Sequence, residues 1–327
     1  MKSVITGLVG DIGGTNARLA LVDDTGHIRF PQTYRCRDYG SLNDVITDYL
    51  KSVGNRQRPP RAVLAVAGPL VDGEIEFTNL DWQVSEVDLL STFDLEAVRL
   101  LNDFAAQAMA APRLGAEHLR QIGPPLSGAA YCPIAVLGAG TGFGVAALAR
   151  SERGEGAVAT EGGHVSFAPC DDLEVEIHRR LRARYGRLSI ERVLSGPGLF
   201  DLHRAMAEID GRPCEFAGEE AVFDAAGRGD AAACATLDRF CAILGSVAGD
   251  FALSFGARGG VYLSGGIAPR MIDRLDAGPF RARFEDKGRL SDYVREIPTF
   301  LITHPYPALV GAARALEQLD RLSLGRG

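Results

Sequence analysis

Along this chain, short apolar runs break at glycine-rich turns and alternate with stretches whose apolar residues recur every three or four positions. The first run, Val9-Gly10-Asp11-Ile12, passes through Gly13-Gly14-Thr15-Asn16 and returns as Ala17-Arg18-Leu19-Ala20-Leu21. A second, Ile134-Ala135-Val136-Leu137, passes through Gly138-Ala139-Gly140-Thr141-Gly142 and returns as Phe143 to Leu148. Each predicts a β-hairpin, the first over about residues 3–22. Between them, Ser41–Leu50 sets Leu42, Val45, Ile46, Tyr49 and Leu50 on one helical face behind Ser41 as N-cap. Arg61–Ala67 reads as a strand stopped by Gly68-Pro69, and Val98–Leu101 as another that runs into Asn102-Asp103. An Ala-rich helix follows from Phe104 to Ala111, and Pro112 stops it.

In the second half, Asp172–Tyr185 has acidic residues in its first turn, arginines in its last and Gly186 behind them, the charge order that a helix dipole favours. A further helix starts at Ser195-Gly196-Pro197-Gly198 and ends near Asp210-Gly211, and the strand Gly260–Leu263 runs into a third glycine junction, Ser264-Gly265-Gly266. Behind Pro307, Leu309, Ala312, Ala313, Leu316 and Leu319 line one face of a closing helix. Strands alternating with helices predict an α/β fold, and the recurring hairpin predicts two similar halves.

At 327 residues and 46% hydrophobic content, the chain exceeds the length at which single cores stop growing, so two domains are expected. A net charge of −7 argues against a nucleic-acid or anionic-membrane surface, which needs clustered Lys and Arg. The six cysteines show no Cys-x-x-Cys pair and read as reduced, mostly buried thiols. The apolar stretch behind Lys2 is short and broken by Asp11, which predicts no cleaved signal and a cytoplasmic protein. The most membrane-like run, Phe240–Ala257, carries Asp250, two serines and three glycines, and is expected to be a buried helix.

A glycine-threonine turn presents backbone N–H groups and a hydroxyl as an anion-binding concavity, so two such turns predict two clamps on one polyphosphate. Around them the polar residues at strand ends and in glycine-rich loops are Asp11, Asn102, Asp103, Glu161, His164 and Glu191. Phosphoryl transfer requires phosphate clamps, a carboxylate to place a metal and a carboxylate to take the attacking hydroxyl's proton. Plainer roles compete for each residue: an Asx turn for Asp11, the N-cap of the helix at Phe104 for Asn102 or Asp103, a solvated loop for Glu161 and His164, and a helix start for Glu191.

Gly10-Asp11-Ile12-Gly13-Gly14-Thr15-Asn16-Ala17-Arg18, Leu101-Asn102-Asp103-Phe104, Gly138–Gly142, Glu161-Gly162-Gly163-His164-Val165, Glu191–Leu199 and Phe284–Arg289 together resemble the bacterial ATP-dependent glucokinase family. That resemblance implies the two-domain actin-like ATPase (ribonuclease H-like) fold, with duplicated mixed-sheet α/β domains around a cleft. It implies a small domain of residues 1–110 completed by 304–327, and a large domain of 111–303. It further implies Asp103 as catalytic base on the sugar's 6-hydroxyl, with Asn102, Glu161, His164 and Glu191 on the D-glucose. The ATP phosphates would lie on Gly10, Gly13, Gly14, Thr15, Asn16, Gly138, Gly140, Thr141 and Gly142, and the adenosine near Gly265 and Gly266. Asp11 would organise Mg²⁺ through water. Only Cys170 follows His164, so no zinc is expected, unlike in the related sugar-kinase group with a cysteine-rich loop. A homodimer is expected as well. Open alternatives are another hexose or amino sugar, a polyphosphate donor, and a sugar-sensing regulator, for which a helix-turn-helix ahead of the first turn has no room.

Overall fold

The two hairpins form, and each becomes the centre of its own sheet. In the computed structural model, which describes residues 4–54, 58–68, 70–77 and 80–324, the chain divides into two units: Met1–Leu114 with His304–Gly327, and Gly115–Thr303. Lys2, Pro69 and the first residue of the 3–22 hairpin reading lie outside the described residues.

The first unit comprises β1 (Ile5–Ile12), β2 (Asn16–Asp23), β3 (Ile28–Arg35), α1 (Leu42–Ser52), β4 (Arg61–Val66), β5 (Glu74–Glu76), β6 (Gln83–Ser85), α2 (Glu86–Phe93), β7 (Ala97–Asn102) and α3 (Asp103–Ala110). The second comprises β8 (Leu119–Ile122), β9 (Ile134–Ala139), β10 (Phe143–Ser151), β11 (Gly154–Thr160), α4 (Asp172–Tyr185), α5 (Gly196–Ile209), α6 (Glu219–Gly227) and α7 (Ala231–Phe255). It continues through β12 (Val261–Ser264), α8 (Ile272–Ala277), α9 (Phe280–Glu285), α10 (Ser291–Arg295) and β13 (Thr299–Ile302). The closing helix α11 (Pro307–Leu324) returns to the first unit.

The first sheet runs β3-β2-β1-β4-β7 and the second β11-β10-β9-β12-β13, with β8 added at the edge. Both place an antiparallel three-stranded meander beside two parallel strands, so the duplication implied by the hairpins extends to the whole sheet. Strands buried on both faces explain the continuous apolar runs of β4 and β9.

Caps set the helix starts. The Ser41 hydroxyl accepts from the Asp44 N–H, the Asp171 carboxylate from Glu174 and the Ser195 hydroxyl from Gly198. On α1, Leu42, Val45, Ile46 and Tyr49 are buried in the first core, each side chain contributing roughly 1.5–3 kcal/mol. In the first unit α11 packs on α3, β1 and β4, so closely that a Cβ at Gly311 would overlap the Ala106 carbonyl. The run Phe240–Ala257 belongs mostly to α7, whose most apolar window is 67% buried and forms the middle of the second core.

Three expectations need correction. The Ala-rich helix starts at Asp103, and its N-cap is Asn102, whose Oδ1 accepts from the Ala105 N–H at 3.1 Å. Asp103 is therefore the first helical residue and does not cap, because the cap requires the extended backbone that Asn102 adopts. Glu191 is not at a helix start: residues 191–193 form a turn, and the helix begins at Gly196. Of the six free cysteines only Cys36 and Cys241 are buried, and Cys170 is exposed.

Candidate functional site

In the first unit, parallel pairing aligns the ends of three strands. Asp11 sits opposite Ala65 on β4, and Ile12, Val66 and Asn102 share one row across β1, β4 and β7. Two strand spacings separate the Asp11 strand from the Asn102 strand, about 10 Å. Both polar groups thus lie at the carboxyl ends of parallel strands, where α/β sheets place ligands.

Asp11 pairs across the hairpin with Arg18, and their side chains form an ion pair of 3.0 Å. Burial pushes the Asp11 carboxyl up from its ordinary value, and the Arg18 charge and hydrogen bond oppose it. Arg18 also lies 5.7 Å above the Tyr306 ring, which ties the start of α11 to the hairpin. Arg18 gave no separate signal in the sequence, since facing Asp11 is a matter of register alone.

The turn at Gly13 is closed by its N–H donating to the Asn16 carbonyl at 3.0 Å, which leaves Gly14 and Thr15 exposed at the tip. Gly10 is buried inside β1, where a Cβ would press on Leu64 and Leu19, so its lack of a side chain serves packing. At the other edge of the row, the Asp103 carboxylate accepts from the Phe104 N–H at 2.9 Å. Because Asn102 spends its amide oxygen on the cap, its NH₂ is the part that can donate to a ligand.

In the second unit the sugar-loop candidates and the second turn are joined. The Glu191 Oε2 accepts from the Phe143 N–H at 3.0 Å, immediately behind Gly142, and the Glu191 N–H donates to the Gly163 carbonyl at 2.9 Å. A Cβ on Gly163 would overlap the Phe143 carbonyl, so only glycine lets this loop approach the hairpin. The Gly196 N–H, opening α5, donates to the Gly140 carbonyl. Glu161 precedes and His164 ends a short 3₁₀ turn, with His164 Nε2 3.9 Å from the Glu161 carboxylate, and both side chains are exposed.

Thr141 is exposed at the tip of the second turn, whereas Gly138 is buried in β9 against the end of β12. There Ser264 leads into Gly265, whose φ of +83° and contact with the Ala139 carbonyl exclude other residues, and then into exposed Gly266. The Ile267 N–H donates to the Ala139 carbonyl, so the third glycine junction abuts the second turn. Phe143, the backbone donor that holds Glu191, is invisible to motif reading because its side chain plays no part.

Chemically, the first unit offers a carboxylate at a strand end, a second carboxylate beside an amide donor, and an exposed phosphate-type turn. The second unit offers another such turn held to a loop of two carboxylates and an imidazole, groups suited to a neutral polyol.

A family model described as glucokinase matches residues 8–319. A glucokinase of Caulobacter vibrioides (strain NA1000 / CB15N) is 54% identical over 324 residues, covering 97% of each chain. One of Caulobacter sp. (strain K31) is 52% identical over 327 residues, covering 99% of each. Among solved structures, a glucokinase from an Antarctic psychrotroph matches with a TM-score of 0.88 at 39% identity, covering 95% of this chain and 98% of that one. A ROK family glucokinase from Streptomyces griseus in complex with glucose and AMPPNP matches with a TM-score of 0.64, covering 96% and 99%; at 20% identity it shows the fold alone.

Proposed function

This chain belongs to the glucokinase family, and on that premise we propose that it transfers the γ-phosphoryl group of ATP to the 6-hydroxyl of D-glucose, giving ADP and glucose 6-phosphate. The observation that carries the reading is the placement of Asn102 and Asp103 at the end of β7, in a sheet whose central hairpin turn recurs in the second unit.

In this reading the Asp103 carboxylate accepts the 6-hydroxyl proton as the oxygen attacks the γ-phosphorus. The Asn102 NH₂ donates to a sugar hydroxyl, its oxygen being held by the helix cap. Glu191 keeps one carboxylate oxygen on the Phe143 N–H and offers the other to the sugar, so the sugar contact and the second turn are positioned by one side chain. Glu161 and His164 take further ring hydroxyls, and the two turns hold the donor phosphates through backbone N–H groups and the Thr15 and Thr141 hydroxyls.

Among the described residues no group of three or more His, Cys, Asp or Glu could hold a metal ion. Mg²⁺ keeps several waters and takes its remaining ligands from phosphate oxygens and one carboxylate. Asp11 fits this part: Arg18 occupies Oδ2 and leaves Oδ1 for an ion-bound water. Bound there, the ion would neutralise charge developing on the phosphates. The reading includes a cytoplasmic location and a homodimer.

A coupled assay of the purified protein with a panel of hexoses and with ATP, other nucleotides and polyphosphate tests it. Glucose with ATP is expected to give the highest kcat/KM; another hexose or donor ahead by tenfold would reassign the substrate.

A further inference from the structure

The strand pairing that builds the first phosphate turn also brings two cations to it. Asn16 is the register partner of Arg35 on β3, and the chain then turns through Cys36 to Arg37. A cavity of about 580 Å³ is lined by Gly14, Thr15, Asn16, Arg35, Arg37 and Leu80.

Cys36 fixes the arginines to the turn. It is fully buried, its N–H donates to the Thr15 carbonyl at 2.9 Å, and its thiol donates to the Gly13 carbonyl at 3.3 Å. The residue between the two arginines is thus bonded to both sides of the turn tip. Among the described residues no carboxylate lies within ion-pair distance of Arg35, and Arg37 has only its neighbour Asp38, at 3.7 Å with both side chains exposed. In a chain of net charge −7, two cations held beside exposed backbone N–H groups with one acid near them make a local site for an anion. A neutral sugar has no use for them; a chain of phosphates does.

We propose that Arg35 and Arg37, together with the Gly14-Thr15 turn, form a phosphate-recognition site that takes the terminal phosphates of the nucleoside triphosphate donor. The assignment rests on the kinase reading above. Guanidinium groups add bidentate, charge-assisted bonds to what the backbone alone provides, and they make donor capture sensitive to ionic strength.

The test is the Arg35→Gln/Arg37→Gln double variant, with each single variant and Arg35→Lys/Arg37→Lys beside it. The KM for ATP is expected to rise about tenfold or more in the double variant and less in the singles, with partial recovery in the lysine pair. Inhibition by inorganic tripolyphosphate, competitive with ATP, should weaken in parallel, and the salt dependence of the ATP KM should flatten. Glucose binding measured by calorimetry without donor should not move, and neither should the melting temperature. An ATP KM and a tripolyphosphate inhibition both within twofold of the parent would overturn the assignment. So would loss of inhibition by glucose 6-phosphate with tripolyphosphate inhibition intact, which would place the product's phosphate there. A failure of the kinase reading itself is separable, since it appears in the unsubstituted chain as no glucose 6-phosphate formed from ATP.

Discussion

Asp103→Asn separates catalysis from helix stability, because the cap belongs to the neighbouring residue. The Asn102 Oδ1 bond to the Ala105 N–H is untouched by the change, and an amide oxygen at position 103 can still accept from the Phe104 N–H. What is lost from the helix dipole is one negative charge in the first turn of α3, worth about 0.3–1 kcal/mol. For a domain of this size that is a fall of roughly 1–4 °C in melting temperature. What is lost chemically, on the proposed mechanism, is the proton acceptor, worth roughly 10²–10⁴ in kcat, or about 3–5 kcal/mol of barrier. The two magnitudes lie far enough apart to be measured on one sample: calorimetric melting for the first, a dehydrogenase-coupled rate for the second, with glucose binding by titration calorimetry as control. Asn102→Ala gives the opposite stability pattern, losing the cap at about 0.5–2 kcal/mol. A kcat for Asp103→Asn within about threefold of the parent would refute the base assignment.

Asp11→Asn is expected to cut turnover strongly and to leave glucose binding without nucleotide nearly intact; an equal loss of sugar affinity would make Asp11 structural. Chelation followed by Mg²⁺ alone should restore full activity, whereas stoichiometric zinc in metal analysis would overturn the assignment of the loop around His164. Glu191→Gln should keep the Phe143 N–H bond yet weaken glucose binding, while Glu191→Ala should raise the KM for both glucose and ATP, as kinetics on each substrate will show. Finally, the Thr25 hydroxyl, against the opposing effect of burial and helped by Arg29 and the His27 and Thr25 N–H groups, holds the Asp23 carboxyl well below the usual carboxylate range. Its folded value being lower than its unfolded one, the stabilisation is present above about pH 4 and lost as pH falls below it. Asp23→Asn should therefore lower the melting temperature at pH 7 and flatten its decline under acid; equal slopes in both proteins would refute this.

The hairpins, the capping residue Ser41, the helix start at Ser195-Gly196, the Gly186 stop and the strand end at Asn102 were legible because each depends on residues adjacent in the chain. Rows across the sheet were not: that Arg18 faces Asp11, or that Arg35 faces Asn16, follows from strand register, which needs the assembled sheet. Glu191 misled for a related reason. Its sequence context favours a helix start, but its N–H is taken by Gly163 and its carboxylate by Phe143, and those tertiary bonds hold it in a turn. Choosing between Asn102 and Asp103 as cap turned on one backbone torsion that composition does not encode.

The return of α11 to the first unit governs the order in which the chain can be built. At roughly 5–20 residues per second, a ribosome needs about 10–40 s after Ala110 before it reaches Pro307. During that interval the residues of the second unit are all made and can bury their own core, whereas α3, with Asp103 at its head, still lacks the helix whose Gly311 seats on Ala106. The nascent chain thus holds the proposed proton acceptor on an unsealed helix until α11 is made, and loss of α11 would unseat α3 while leaving the second unit's core whole.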